Sequence, residues 1–378
     1  KKALLIIVVL LCIKSISAQQ IALVRQDDKF GYIKKDGSWL IKPQFIKASS
    51  FSDDLAAVHN GEKWGFINSN NDLVIDYKFD KVKAFDSGIA IVLNHKKWFY
   101  INKKGEEIIM PTSDKIYDFN NGIAYLKRGD KIGLINWQGD VILEPQFNKI
   151  QAFNNGYAKV KLEKLWGLIN KKGELIIDPI YQELGKYSNG VIHAKKDEKI
   201  GLIINNVFAE VDAVKIWDFQ NGENLTYALD KNKKVGFINR EGKWIIEAQF
   251  KKARGFDNGL ASISTNGKLW GYIDEKGTIQ IEEKYRDAEM FSKDGLAPVK
   301  INKLWGFIDK KGDLVIVDKY IITAKNFNFF KKQSKGFING LSRVSLNNKW
   351  GFIDVKGNLL SETWFQNVEN FVELKTHN

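Results

Sequence analysis

Apolar and polar positions alternate along this chain in short bursts. From Leu260 to Phe291, Leu260-Ala261-Ser262-Ile263 is a short apolar run, and polar Thr265-Asn266-Gly267-Lys268 follows it. Leu269-Trp270-Gly271-Tyr272-Ile273 makes a second run, Asp274-Glu275-Lys276-Gly277 interrupts, and Thr278-Ile279-Gln280-Ile281 makes a third. Asn or Asp followed closely by Gly between β-rich runs is hairpin chemistry, because Gly accepts positive φ and the Asx side chain caps the turn. The pattern predicts a three-stranded antiparallel meander. A connector follows, punctuated by Tyr285 and Phe291 and too short for an independently stable helix.

The second run carries most information. Strand alternation puts Trp270 and Tyr272 on one face, with Gly271 and Ile273 on the other. Both faces are apolar, so both must be covered, which one meander cannot do for itself. Glycine inside a strand marks the close approach of another group. The expectation is an aromatic ring, from the connector or the adjoining repeat, lying over Gly271. The isoleucine beside it is expected to join a ladder running the length of the molecule.

The phrase recurs ten times. Glycine stands at 31, 65, 133, 167, 201, 236, 271, 306 and 351, with Phe99 in the remaining slot. Successive slots lie 34 residues apart five times, then 35 three times, then 45. Two positions after the slot stands isoleucine in every copy, from Ile33 to Ile353. A fixed period of this length signals a repeat architecture. The fold expected is all-β: ten tandem three-stranded antiparallel repeats of about 34 residues in an open twisted array. A closed β-propeller-like ring is the alternative. Ile21-Ala22-Leu23-Val24 matches the first strand of a repeat, and the chain ends shortly after Phe371, just before that strand would come again. Against a ring, ten units exceed the usual four to eight blades, three strands are one short of a blade, and the 45-residue interval breaks the regularity.

Lys63-Trp64-Gly65-Phe66-Ile67-Asn68, Leu304-Trp305-Gly306-Phe307-Ile308-Asp309 and Lys349-Trp350-Gly351-Phe352-Ile353-Asp354 closely resemble the bacterial WG-repeat (KWG-repeat) family. The resemblance covers residues 20–371. It implies a β-rich repeat module and brings no catalytic residues. The tryptophan is kept at Trp64, Trp98, Trp166, Trp270, Trp305 and Trp350 and replaced by Phe30, Ile132, Ile200 and Val235 elsewhere, which points to packing.

Residues 1–18 stand outside the array: Lys1 and Lys2, an apolar run from Ala3 to Ile13, then Ser15, Ile16, Ser17 and Ala18. This reads as a secretory signal, with residues 19–378 as the mature array. The apolar run is too short to span a bilayer as a helix, so no transmembrane segment is expected in the mature chain. The expected location is exported: periplasm, cell surface or secreted. Cys12, the single cysteine, falls in this segment, so burial and backbone pairing must hold the array together without disulfides.

The formal charge is +13. Lysine greatly outnumbers arginine, whereas base-specific recognition favours arginine, so no specific nucleic-acid recognition is expected. Lys29, Lys63, Lys97, Lys131, Lys164, Lys199, Lys234, Lys268, Lys303 and Lys349 lie two or three residues before the slot. They form a candidate polyanion edge, for lipopolysaccharide, teichoic acid or nucleic acid. The plainer reading is that lysine keeps a hairpin edge soluble. The extra residues at about 327–336, in the ninth repeat, form a candidate partner-binding loop through Phe327, Phe329, Phe330, Lys331 and Lys332, since insertions in repeat proteins map to loops.

His59, His95, His193 and His377 fall at different registers, without metal-ligand spacing, and read as surface or hairpin residues. Asp274, Asp309 and Asp354 share a register with Asn68, Asn102, Asn136, Asn170 and Asn239, so that position needs a turn former and not a proton donor. Arg128-Gly129-Asp130 lies in a hairpin, where a basic, Gly-rich turn explains it. Trp39 and Trp244 share a third-strand register and read as core. No catalytic constellation, metal or cofactor is expected. The function expected is a non-catalytic binding or scaffold protein of a cell envelope, its partner a protein or a glycan, with salt-sensitive polyanion binding as the alternative.

Overall fold

The Asx turns form as their chemistry requires. Asp274 Oδ1 accepts the N–H groups of Lys276 and Thr278, each at 2.9 Å, and Gly277 takes φ = 84° to close the hairpin. Asn68, Asn102, Asn136, Asn170 and Asn239 make the same pair of bonds, as do Asp309 and Asp354. The register is a cap.

The computed structural model describes residues 19–220, 222–322 and 335–374, which form ten small antiparallel sheets, one per repeat. The eighth sheet is representative, with strands Leu260–Ser264, Trp270–Ile273 and Ile279–Tyr285 in meander order. Most sheets gain a fourth strand that the sequence reading placed in the connector. It is short, such as Lys47–Ala48 in the second sheet and Glu183–Leu184 in the sixth, and pairs with the first long strand. The three-stranded unit is therefore corrected to a four-stranded blade in most repeats.

The cover over the slot glycine is also different from expectation. Trp270 pairs with Tyr285 and Tyr272 with Ile281, so the third strand carries extra residues opposite Gly271 and bulges. A Cβ on Gly271 would lie 2.4 Å from the Ile281 carbonyl oxygen and 2.8 Å from the Glu283 nitrogen. Gly31, Gly65, Gly133, Gly167, Gly236 and Gly306 meet third-strand backbone in the same way. Backbone, not an aromatic ring, fills the space, because a bulge brings the main chain inward where side chains normally stand apart. Blade 3 is the internal control. Its third strand, Glu107–Ile108, stops before the bulge would form, and there Phe99 occupies the slot.

The array closes. Val24 and Arg25 pair with Val368 and Asn367, and Gln20 and Ile21 pair with Glu373 and Val372, so the C-terminal segment supplies the missing edge of the first blade. Ala22, Val24 and Ile33 share a core with Phe352, Phe365 and Val368. Each neighbouring pair of blades has such a core, one cluster per interface all the way round. The open twisted array is thus corrected to a ten-bladed propeller ring. The physical reason is that an open end would expose the first blade's edge and the last blade's apolar face, and mutual pairing removes both.

One rule builds every interface. Residues Leu260, Trp270, Tyr272, Ile281 and Tyr285 of one blade, with Phe291 from the connector, pack on Ala297, Val299 and Ile308 of the next. The slot isoleucines are buried, but each lies in a separate interface cluster, so they form ten discrete cores and not a continuous ladder. The two connector aromatics do different work. Tyr285 ends the third strand opposite Trp270, whereas Phe291 packs edge-on against Tyr272 with ring centroids 5.0 Å apart.

Candidate functional site

The residue after the slot glycine is aromatic in seven blades, and its ring meets the connector aromatic. Tyr32–Phe51, Phe66–Phe85 and Phe237–Phe256 lie at 4.8 Å, and Tyr100–Phe119, Phe307–Phe337 and Phe352–Phe371 repeat the pairing. In blades 4, 5 and 6 the residue is Leu134, Leu168 and Leu202. The connector rings that follow the first two, Phe153 and Tyr187, are only half-buried, with Tyr187 packed instead on Tyr157, whereas Phe219 after Leu202 is buried, as are Phe85, Phe256 and Phe291. At Leu134 and Leu168 the smaller side chain leaves the connector ring partly uncovered.

The space becomes a cavity of about 310 Å³ between blades 5 and 6, bounded by Phe153, Tyr157, Lys159, Leu168, Lys186, Tyr187 and Asp218 among others. It runs on, through shared residues Asn154, Lys186, Tyr187 and Asp218, into a second cavity of about 450 Å³. That one reaches Asp257 and Lys293, which also bound a third of about 690 Å³ extending to Arg254 and Lys335. Together they make a groove over the connectors of successive blades.

A second departure from the repeat coincides with the first. The first-strand residue paired with the position after the slot glycine is Leu23, Ala57 and Ile91 in blades 1 to 3, Tyr125, Lys159, His193 and Tyr227 in blades 4 to 7, and Ser262, Pro298 and Arg343 in blades 8 to 10; Lys159 and His193 face leucines, whereas Arg343 faces Phe352. His193 Nε2 lies 2.9 Å from Asp218 Oδ1, and that oxygen also accepts the Lys186 N–H at 2.7 Å. Gly185 makes the arrangement possible, because a Cβ there would lie 2.2 Å from the His193 ring. Burial pushes the Asp218 carboxyl up, but the hydrogen bonds from His193 and Lys186 and the charge beside it outweigh this and hold it below the ordinary range. Lys159 Nζ donates to the Leu184 carbonyl at 2.7 Å and lies 5.7 Å from the Trp166 ring centroid. Its burial lowers its pKa, opposed by the Asp218 charge. Tyr157 and Tyr187 stand 4.4 Å apart, tilted, at the mouth. The site offers a cation, an anchored carboxylate and two aromatic faces.

A wider cleft of about 1060 Å³ opens between blades 6 and 7, where the third strand Val207–Glu210 lacks the usual extension. Its charged rim is largely self-paired: Lys195–Glu198 and Lys199–Glu210 each at 2.6 Å.

The lysine edge lies in the hairpins joining the first and second long strands. Lys29, Lys164, Lys234, Lys268, Lys303 and Lys349 are exposed there. Lys63, Lys97, Lys131 and Lys199 are paired with Asp80, Glu107, Asp130 and Glu210. Phe327, Phe329, Phe330, Lys331 and Lys332 lie outside the described residues, as do residues 1–18 and His377. His59 stands at a hairpin, where its Nδ1 accepts the Gly61 N–H, but it is buried with its ring 4.9 Å from Trp64, while His95 is exposed. Arg128 pairs with Glu144 and the Gly129 N–H with Asp114, both within hairpin surroundings. Trp39 packs edge-on against Phe365, and Trp244 Nε1 donates to Asp212 O. No group of three or more metal-ligating side chains forms among the described residues, and no helix there is long and apolar enough to cross a membrane.

The sequence reading passed over Lys159 and Asp218 and took His193 for a surface or hairpin residue, whereas it stands in the strand Val191–Lys196 and is paired with Asp218. The readable signal was the run of leucines after the glycine in three consecutive copies, with polar residues replacing apolar ones in the strand beside them.

Among solved structures, a eukaryotic initiation factor is 9% identical, covering 94% of this chain and 98% of that one at a TM-score of 0.46. BamB from Moraxella catarrhalis is 8% identical, covering 71% and 95% at 0.30. PorZ, a surface component of the type-IX secretion system of Porphyromonas gingivalis, is 10% identical, covering 92% and 59% at 0.24. Likeness this loose says nothing of function. No curated protein sequence matches the chain. The WG containing repeat matches at residues 30–64, 64–98, 98–131, 132–166, 166–199, 236–268, 270–305 and 305–316. These matches fall on the phrases that build the blades, and the chain belongs to the WG containing repeat family.

Proposed function

We propose that this protein is an exported, non-catalytic binding scaffold whose partner, a protein or an envelope glycan, seats in the connector groove of blades 5 to 9. The observation that carries the reading is the coincidence of the two departures. Ring closure and blade packing need the repeat to be kept, yet blades 4 to 6 lose their aromatic pairing where polar side chains converge on a cavity. Cost in packing without gain elsewhere marks a functional surface. Export rests on the charged, apolar and small-residue order of residues 1–18. The stretch containing Phe327, Phe329, Phe330, Lys331 and Lys332 leads into Lys335 at the groove's far end and is proposed as an added partner contact.

The test is capture from an envelope extract on residues 19–378, at low salt and at about 0.5 M, where screening is short-ranged. A discrete partner that survives salt supports the scaffold. Its loss on deletion of residues 327–332, with the β signal kept, would assign that stretch a share in the contact. Recovery of anionic polymer alone, released by salt, would instead favour the lysine edge, whose exposed members on one hairpin rim give that reading its support.

A further inference from the structure

Resting on the scaffold reading, we propose that the cavity between blades 5 and 6 takes a carboxylated sugar unit, held by its carboxylate on Lys159 and by its ring over Tyr157 and Tyr187. The argument begins with charge. Lys159 is half-buried, and its ammonium has the Leu184 carbonyl as its hydrogen-bond acceptor, with no carboxylate within ion-pairing distance among the described residues. An ammonium donates three hydrogen bonds, and a charge withdrawn from water costs free energy until a counter-charge meets it. Asp218, the nearby acid, is already engaged by His193 and by the Lys186 N–H. The cavity therefore presents a fixed cation awaiting an anion.

The rest of the lining says what carries that anion. Half-buried Tyr157, Tyr187 and Phe153 offer ring faces suited to the C–H face of a sugar, while Asp218, Asn154 and Gln151 offer donors and acceptors for hydroxyls. About 310 Å³ lies at the lower end of small-ligand sites, which run from about 300 to 1,000 Å³. The neighbouring cavity continues the groove, so a chain of sugars has room to extend. Asp218, Glu223 and Asp257 along the same path disfavour any chain charged at every unit, a phosphate polymer included, so the carboxylated unit is expected beside neutral sugars. An acidic peptide is normally recognised by clustered arginines, whereas this lining, among the described residues, holds no arginine and intersperses polar groups with rings.

The test is calorimetric titration of the mature chain with three carboxylated oligosaccharides: a galacturonate trimer, a hyaluronan tetramer and sialyllactose. Each is run beside a neutral oligosaccharide of equal length, and poly-glutamate is the peptide control. At least one carboxylated member is expected to bind at least tenfold more tightly than its neutral counterpart. Lys159→Met should erase that margin with the melting temperature kept, and Lys234→Met on the lysine edge should leave it intact. His193→Gln, which keeps a side-chain N–H donor for Asp218, should weaken binding less. The proposal is overturned if no carboxylated sugar exceeds its neutral counterpart, if the margin survives Lys159→Met, or if poly-glutamate binds as well through Lys159. An envelope partner captured equally by wild type and Lys159→Met would refute this site alone and leave the scaffold standing. Failure of both proteins to capture anything would refute the scaffold reading.

Discussion

Gly271 lies beneath Ile281, so close that a Cβ would be 2.4 Å from the Ile281 carbonyl oxygen. The contact is with main chain, which cannot rotate away as a side chain can. Gly271→Ala should therefore force the bulge outward and destabilise the protein by about 1–3 kcal/mol, the usual cost of overpacking. Chemical denaturation of the purified variant measures it. Unchanged stability would mean that the glycine is kept for something other than the bulge.

That glycine shows where the sequence was legible. Period, hairpins, turn caps and the two apolar faces of the second strand were all readable, since each depends on residues close in the chain. The object above Gly271 was not, because a bulge is set by how two strands pair and leaves no mark beyond the glycine. Closure was legible only as an alternative. Ile21-Ala22-Leu23-Val24 announced an unfinished blade, but whether Val368 meets Val24 depends on curvature summed over ten blades, which no local pattern encodes. The candidate site was the least legible part. Lys159, His193 and Asp218 come from three successive repeats, and only the geometry of the connectors brings His193 Nε2 within 2.9 Å of Asp218.

Leu168→Phe tests the origin of the cavity. It restores the residue type found at this register in blades 1 to 3 and 7 to 10, and its ring would meet Tyr187 as Phe237 meets Phe256. Stability should change by less than about 1.5 kcal/mol, as for tolerated apolar exchanges. Any partner captured by the groove should be lost. Retained capture by this variant, with a melting temperature close to wild type, would place the partner elsewhere on the ring.

The carboxyl of Asp218 titrates below its ordinary value of 3.8 in the folded protein. Burial acts against this, and the hydrogen bonds from His193 and the Lys186 N–H prevail; Lys159 and the Lys186 ammonium are the other charges in the cavity. A group with a depressed folded pKa stabilises fully above its unfolded pKa and loses that contribution as pH falls through the folded value. Asp218→Asn should thus melt below wild type at about pH 6, and the gap should narrow below about pH 4. Thermal melts of both proteins across that range check the sign. A gap that widens with acid would contradict the pairing.

Val368 and Ile273 occupy equivalent kinds of place only if the molecule is a ring. Ile273 is fully buried between blades 7 and 8, and Val368 is fully buried between the last blade and the first. Ile273→Asp puts an unpaired charge into an interface core and should cost more than about 3 kcal/mol. In an open array, stability is a sum over neighbours, so a change in the final strand would fray one end and leave the main transition alone. In a closed ring the seam is an interface like the others, and breaking it exposes two blade surfaces together. Val368→Asp should therefore lower the midpoint of the main denaturation transition about as far as Ile273→Asp does. A Val368→Asp protein that unfolds with the wild-type midpoint, losing only a small early phase, would show that the seam does not hold the ring.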